Sequence, residues 1–221
     1  LPSSVAGLPC RAVLPHHTNW RHAMSAVQQH RPDQPTAHLS AYTPTEPVPA
    51  LGEAELHPGV DLPLLRDLVR PDHPVWTPRE LRDLTSLVTS ELTGPLLDIV
   101  RVDDENRWWA KLALTAGVEL WLLSWAPGQG TAPHDHGGAS GSFSVLFGAL
   151  REDYRYPSGP VRTAHHDVGS SVGFGSGRAH QVRNVSSVNS ASVHAYSPPL
   201  LPVHYYADLA EVPPQQPEVR R

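Results

Sequence analysis

The sequence is short of what several protein classes require. Its single cysteine, Cys10 among 221 residues, cannot build an internal disulfide framework and suits a reducing compartment. No uncharged apolar run approaches the ~18 residues that cross a bilayer, and one of the most apolar stretches, Val118–Ala126, already contains Glu119. Leu1–Pro15 lacks a basic n-region and a continuous apolar h-region, so it does not read as a signal peptide. Positive charge is scarce: 17 Lys and Arg stand against 22 Asp and Glu, a formal net charge of −5, which argues against a phosphate-neutralising surface. Methionine occurs once, at Met24, so residues 1–23 are open to being upstream or processed sequence. With 39% apolar and 18% charged residues the chain is too apolar for disorder throughout. The expectation is a soluble, cytoplasmic protein with neither a nucleic-acid nor a membrane partner.

What is abundant is proline, 24 times, and histidine, 14 times. Residues 1–60 hold nine prolines and six histidines without sustained periodicity and read as a Pro/His-rich extension. A helical cap is expected over 61–100. Leu62, Leu64, Leu65 and Leu68 suit a short amphipathic helix ended by Pro71. Thr77-Pro78-Arg79-Glu80 is a capping-box start with proline at its first position, followed by a stripe of Leu81, Leu84, Val88 and Leu92 and a stop at Gly94. From Trp108 the grammar becomes β. Trp108–Thr115, Val118–Trp125, Phe143–Leu150, Glu152–Tyr156, Arg162–Val168, Ser171–Phe174, His180–Val185, Ala191–Ser197 and Val203–Ala207 read as short strands of a sandwich or barrel spanning 101–211, with 212–221 as a tail.

His134-Asp135-His136 is the sharpest local feature. On a strand, residues i and i+2 share a face, so the two imidazoles converge while Asp135 turns away. Alone, such a pair in a histidine-rich chain is unremarkable. It sits, however, inside Gly128-x5-His134-x-His136-x11-Gly148, followed by Gly169-x5-Gly175 and His180-x3-Asn184. These blocks resemble the two motifs of the cupin superfamily. Gly141 replaces the glutamate many cupins carry in the first motif, and Gly175 replaces the usual proline of the second. The resemblance implies a mainly β protein: a cupin (double-stranded β-helix, jelly-roll) barrel with a small N-terminal helical region. It also implies a metal on His134, His136 and His180. Three neutral imidazoles leave a divalent ion its full charge and favour anionic donors such as a thiolate, although imidazole does not choose between Fe, Zn, Ni and Cu.

Ser192, His194 and Tyr196 follow at i, i+2 and i+4, hence on one strand face; they read either as a hydroxyl–imidazole–phenol relay or as polar groups satisfying one another. Ser197-Pro198 suits a cis peptide. Together with Ser124-Trp125, Pro133–Gly138, Val145–Glu152 and His180–Val185, these residues resemble the cysteine dioxygenase family, bacterial type, from about Trp76 to Tyr206. That resemblance implies non-haem Fe(II) as cofactor and a small-molecule thiol and O2 as partners, the thiol being oxidised to a sulfinate. Tyr196 is implied beside the iron, oriented by His194 and Ser192. Mammalian members carry a cysteine at the position of Gly141 and crosslink it to the active-site tyrosine, which glycine precludes here. The family's carboxylate-gripping arginine aligns best with Lys111, a point charge without the bidentate fork. Lys111 is therefore a candidate substrate-binding residue or a strand-edge lysine in solvent, with Arg178 next in line. His165-His166 reads as exposed, and His204 as a packed or rim histidine. Two rival functions keep the fold: a specialised-metabolism oxygenase that rearranges cysteine or another thiol, and a non-catalytic cupin that binds a metal or ligand.

Overall fold

The computed structural model describes residues 47–213. The expected extension up to residue 46 and the tail from 214, with Cys10 and Met24, lie outside the described residues. None of the helices described is long and apolar enough to cross a membrane.

Three short helices precede the barrel. In α1 (Pro63–Val69) the buried positions are Leu65 and Val69, while Leu62 and Leu64 face solvent, so the stripe runs one residue later than the leucine spacing suggested. Helix α2 (Pro78–Glu91) starts as its sequence dictates: Thr77 Oγ1 accepts from the Glu80 amide at 3.3 Å, and Glu80 Oε2 accepts from the Thr77 amide at 2.9 Å. It ends at Leu92 rather than Gly94, and Gly94 lies inside α3 (Thr93–Ile99). The cause is Pro95, which has no amide to continue α2 but is tolerated in the first turn of a new helix. The break keeps both Leu92 and Leu96 in the apolar core.

Eleven strands are described: β1 (Ala54–Leu56), β2 (Trp109–Thr115), β3 (Glu119–Trp125), β4 (His134–Asp135), β5 (Ser140–Phe147), β6 (Ala149–Arg155), β7 (Arg162–Asp167), β8 (Ser171–Phe174), β9 (Ala179–Arg183), β10 (Ser190–Ser197) and β11 (His204–Tyr205). They form two antiparallel sheets, ordered β1-β2-β3-β10-β5-β8 and β11-β4-β9-β6-β7. The fold is the mainly β cupin barrel that the motifs implied. Two boundaries move. β1 falls within the expected extension, because Ala54–Leu56 pairs with Ala113–Thr115 at the sheet edge. The run expected as one strand from Phe143 breaks at Gly148, where the chain passes from one sheet to the other. Gly148 has φ +74°, and a Cβ there would lie 2.3 Å from Ser190 Oγ and 2.6 Å from the Asn189 carbonyl, so no other residue fits without displacement.

The six-stranded sheet packs α2 against β5, β8 and β10. Its outer face supplies Leu112, Leu120, Leu122, Val193 and Ala195 to a core shared with Leu81, Leu84 and Val88. Its inner face, with Trp125 and Val145, meets Leu150 and Val182 of the second sheet inside the barrel. The Ser197–Pro198 peptide that closes β10 is cis.

Candidate metal centre

Strand β4 is only two residues long, yet it ties three of the key side chains together. His134 pairs with Tyr205 of β11 on one side and with His180 of β9 on the other. His136 follows on the same side as His134, and one ring nitrogen from each of His134, His136 and His180 lies within 4.8 Å of the others. All three side chains are buried. His134 Nδ1 donates to the Ala132 carbonyl at 2.8 Å, and His180 Nδ1 donates to Glu152 Oε1 at 2.7 Å. Each bond places the ring proton on Nδ1 and leaves a lone pair on Nε2. Burial, then the neighbouring charge of His180, takes His134 down to about 3; burial followed by His134 and His180 takes His136 well below the ordinary histidine range. Neutral imidazoles are the ligand form. His136 Nε2 and His180 Nε2 stand 3.1 Å apart, close to the separation of two nitrogens about 2.1 Å from one ion at a right angle. The donor set fits a divalent metal.

Asp135 turns away, as its place between the two histidines requires. It accepts from the Gly137 amide at 2.7 Å, from His204 Nδ1 at 3.0 Å and from the Tyr206 hydroxyl, so it clamps β11 onto β4. His204 is thus a rim residue paired with Asp135.

Behind His180 lies a carboxylate that the sequence reading quoted only as part of a motif. Glu152 is fully buried on β6. Besides His180 it accepts from Arg178 Nη2 at 2.5 Å and His166 Nε2 at 3.1 Å. Burial opposes its ionisation, but the hydrogen bonds from His166 and His180 and the charge of Arg178 outweigh that and hold the carboxyl far below its usual range. His166, expected to be exposed, is turned inward because β7 pairs in the register Leu150↔His166, which puts it on the inner face against Phe143 (ring centroids 4.9 Å) and leaves His165 outside. The structure places Arg178 in this same layer, its guanidinium 3.6 Å over the Tyr154 ring and paired with Glu152.

The opposite wall is β10. Ser192, His194 and Tyr196 share its inner face, with Ser192 Oγ 2.8 Å from His194 Nε2 and His194 Nδ1 3.2 Å from Tyr196 Oη. The Tyr196 ring lies 4.2 Å from that of His136, centroid to centroid, so the relay ends at the histidine cluster. Burial, then the negative charge of Glu119, raises the Tyr196 phenol far above its usual range, and it keeps its proton. Gly141 sits opposite Tyr196 in the β5–β10 register. A Cβ there would lie 2.5 Å from the Phe174 ring and 3.0 Å from Tyr196 Cδ1. Phe174 fills that corner of the barrel interior.

Cations line the third side. The β2–β3 register, Trp109↔Leu123 and Lys111↔Trp121, puts Lys111 on the inner face, its ammonium 5.1 Å from the Trp121 ring. Two residues before Trp109, Arg107 follows the same alternation, and its guanidinium stands 4.9 Å from the Trp125 ring. Arg107 was not singled out from sequence, although a basic residue in step with Trp109 and Lys111 was the available signal. Its positive charge opposes protonation of His134 and His194 and favours ionisation of Tyr196. Glu119, buried on β3, accepts from Trp121 Nε1 at 3.0 Å and from the Leu200 amide at 3.2 Å.

The model of the family described as cysteine dioxygenase type I matches residues 94–208. No curated protein matches the sequence. Among solved structures, TT1209 from Thermus thermophilus is 21% identical with a TM-score of 0.41, covering 47% of this chain and 93% of that one. A conserved protein with a double-stranded β-helix domain from Klebsiella pneumoniae is 19% identical with a TM-score of 0.42, covering 50% and 92%. An oxalate oxidase in complex with the substrate analogue glycolate is 18% identical with a TM-score of 0.41, covering 47% and 56%.

Proposed function

Because the chain belongs to the cysteine dioxygenase type I family, we propose that it is an iron-dependent thiol dioxygenase, converting cysteine or a related small thiol to its sulfinate. The observation that carries this reading is the convergence of three imidazoles, two with the ring proton fixed on Nδ1, beside the phenol of a hydrogen-bonded relay. Both atoms of O2 pass to sulfur, which is oxidised by four electrons while O2 is reduced by four. Fe(II), held by His134, His136 and His180, would supply the Lewis-acid and redox chemistry that brings thiolate and O2 together.

The residues around that position have separate tasks. Glu152 fixes the tautomer and ring orientation of His180. Tyr196 offers a protonated hydroxyl where negative charge develops on oxygen or on the substrate carboxylate, and His194 and Ser192 hold it there. Lys111 and Arg107 are the candidate partners for a substrate carboxylate, and Arg107 brings the planar fork that lysine lacks. Arg178, engaged with Glu152, supports the metal-binding layer.

Anaerobic loading of the full chain with Fe(II), followed by a thiol panel with O2 uptake and product masses, tests the proposal. The expected result is one O2 consumed per thiol and a product heavier by two oxygen atoms. A rearranged or decarboxylated product without that gain, or no O2 uptake with any thiol, overturns it.

A further inference from the structure

The relay on β10 has a fourth member, and its chemistry gives the chain a direction. Trp125 Nε1 donates to Ser192 Oγ at 2.9 Å in a fully buried environment. An indole N–H can only donate. Among the described residues the serine oxygen has one other partner, His194 Nε2 at 2.8 Å. If the imidazole also donated to Ser192, the serine hydrogen would be left buried and unpaired, a state folded proteins avoid. The hydroxyl therefore donates to Nε2, the imidazole proton sits on Nδ1, and Nδ1 donates to Tyr196 Oη at 3.2 Å. The tyrosine oxygen, already an acceptor from His194, is left to turn its own hydrogen toward the histidine cluster, where its ring packs on His136.

We propose that Trp125 is a positioning residue that fixes the polarity Trp125 → Ser192 → His194 → Tyr196, so that the Tyr196 hydroxyl is presented as a hydrogen-bond donor to whatever occupies the metal site. Arg107 strengthens the device from the far side: its guanidinium, 4.9 Å from the Trp125 ring, draws on the π-electrons of the indole and makes its N–H a better donor. Phe143, stacked on His194 at 5.2 Å and 18°, keeps the imidazole in the plane the relay needs. A reversed chain would have Tyr196 donating back to His194, with no hydrogen left for the metal site. The function of this polarity rests on the dioxygenase reading; the polarity itself does not.

The first measurement is the tautomer of His194 in the full chain labelled with 15N-histidine and loaded with Zn(II) as a diamagnetic ion, the signal being assigned by its loss in His194→Gln. A proton on Nδ1 is expected; a proton on Nε2 overturns the proposal. Trp125→Phe keeps the ring and removes the donor. The Nε2-protonated form should then become populated, and with Fe(II) and the thiol kcat should fall about tenfold, as loss of one oriented hydrogen bond implies, while KM stays within about twofold. A folded Trp125→Phe with the wild-type tautomer or an unchanged kcat overturns the role of the indole. If that variant does not fold, Ser192→Ala cuts the chain one link later and must move the proton in the same way; an unmoved proton overturns the proposal. A wild-type chain that holds the proton on Nδ1 yet oxidises no thiol refutes the dioxygenase reading and leaves the polarity intact.

Discussion

The two faces of β10 hold different chemistry within one eight-residue strand. Ala191, Val193 and Ala195 point outward into the core shared with α2, while Ser192, His194 and Tyr196 point into the barrel. The same division runs across the sheet: Leu120 and Leu122 of β3 face the helices, and Trp121 and Trp125 lie on the inner face. The outer face is mostly apolar and held largely by area removed from water, with one hydroxyl cluster where Thr85 of α2 meets Ser142 and Ser144 of β5. The inner face is dense in hydrogen bonds whose partners are specific, so each side chain there depends on another. Under the proposed function, stability and chemistry fall to opposite sides of one sheet.

Substitutions on each face test that division. The largest effect is expected at the histidine cluster, where His180→Ala should strip most of the loaded iron and abolish O2 uptake while circular dichroism still reports a β-rich fold; full iron occupancy would remove His180 from the ligand set. On the other face, Leu122→Ala should cost roughly 2–5 kcal/mol in denaturant unfolding and leave activity per folded molecule unchanged, since Leu122 is fully buried against the helical side. A loss of specific activity as large as the loss of stability would mean that the faces are coupled.

A smaller effect separates the two cations. Lys111→Met and Arg107→Met keep most of the stem volume, and the one that meets a substrate carboxylate should lose at least about thirtyfold in kcat/KM for L-cysteine. The same variant should lose far less for cysteamine, which has no carboxylate; equal losses on both thiols would mark a cation that serves the fold. The smallest effect lies at the rim of the helical layer. Thr77→Ala should destabilise by about 1 kcal/mol. The backbone and side-chain hydrogen bonds from Thr77 lower the Glu80 carboxyl from 4.5 to about 2, despite some opposing burial. A carboxyl lowered on folding contributes its stability above the unfolded value and loses it as pH falls through the folded one. The gap between wild type and Thr77→Ala should therefore be full above pH 4.5 and shrink toward pH 2 in urea titrations; a gap independent of pH would detach Glu80 from the cap.

Much of this was legible because it is local. The capping box at Thr77, the i, i+2 spacing of His134 and His136, and the alternation of Ser192, His194 and Tyr196 each follow from the period of one element, and the structure keeps all three. The helix stop at Gly94 failed for an equally local reason, the missing amide of Pro95, which the spacing of leucines does not register.

Which residues share a face follows from the order of residues alone, since period-two alternation is a property of the extended backbone and needs no partner strand. Which faces meet follows from long-range pairing, which sets the strand register. Glu152 gathers His166, Arg178 and His180 from 14, 26 and 28 residues away. Phe174 closes the corner beside Gly141 through the β5–β8 pairing. Arg107 comes to rest over Trp125 because Trp109 is matched to Leu123. Each of these contacts is fixed by a register that hydrogen bonds between distant segments select, and a slip of one residue would send every one of those side chains to the other face.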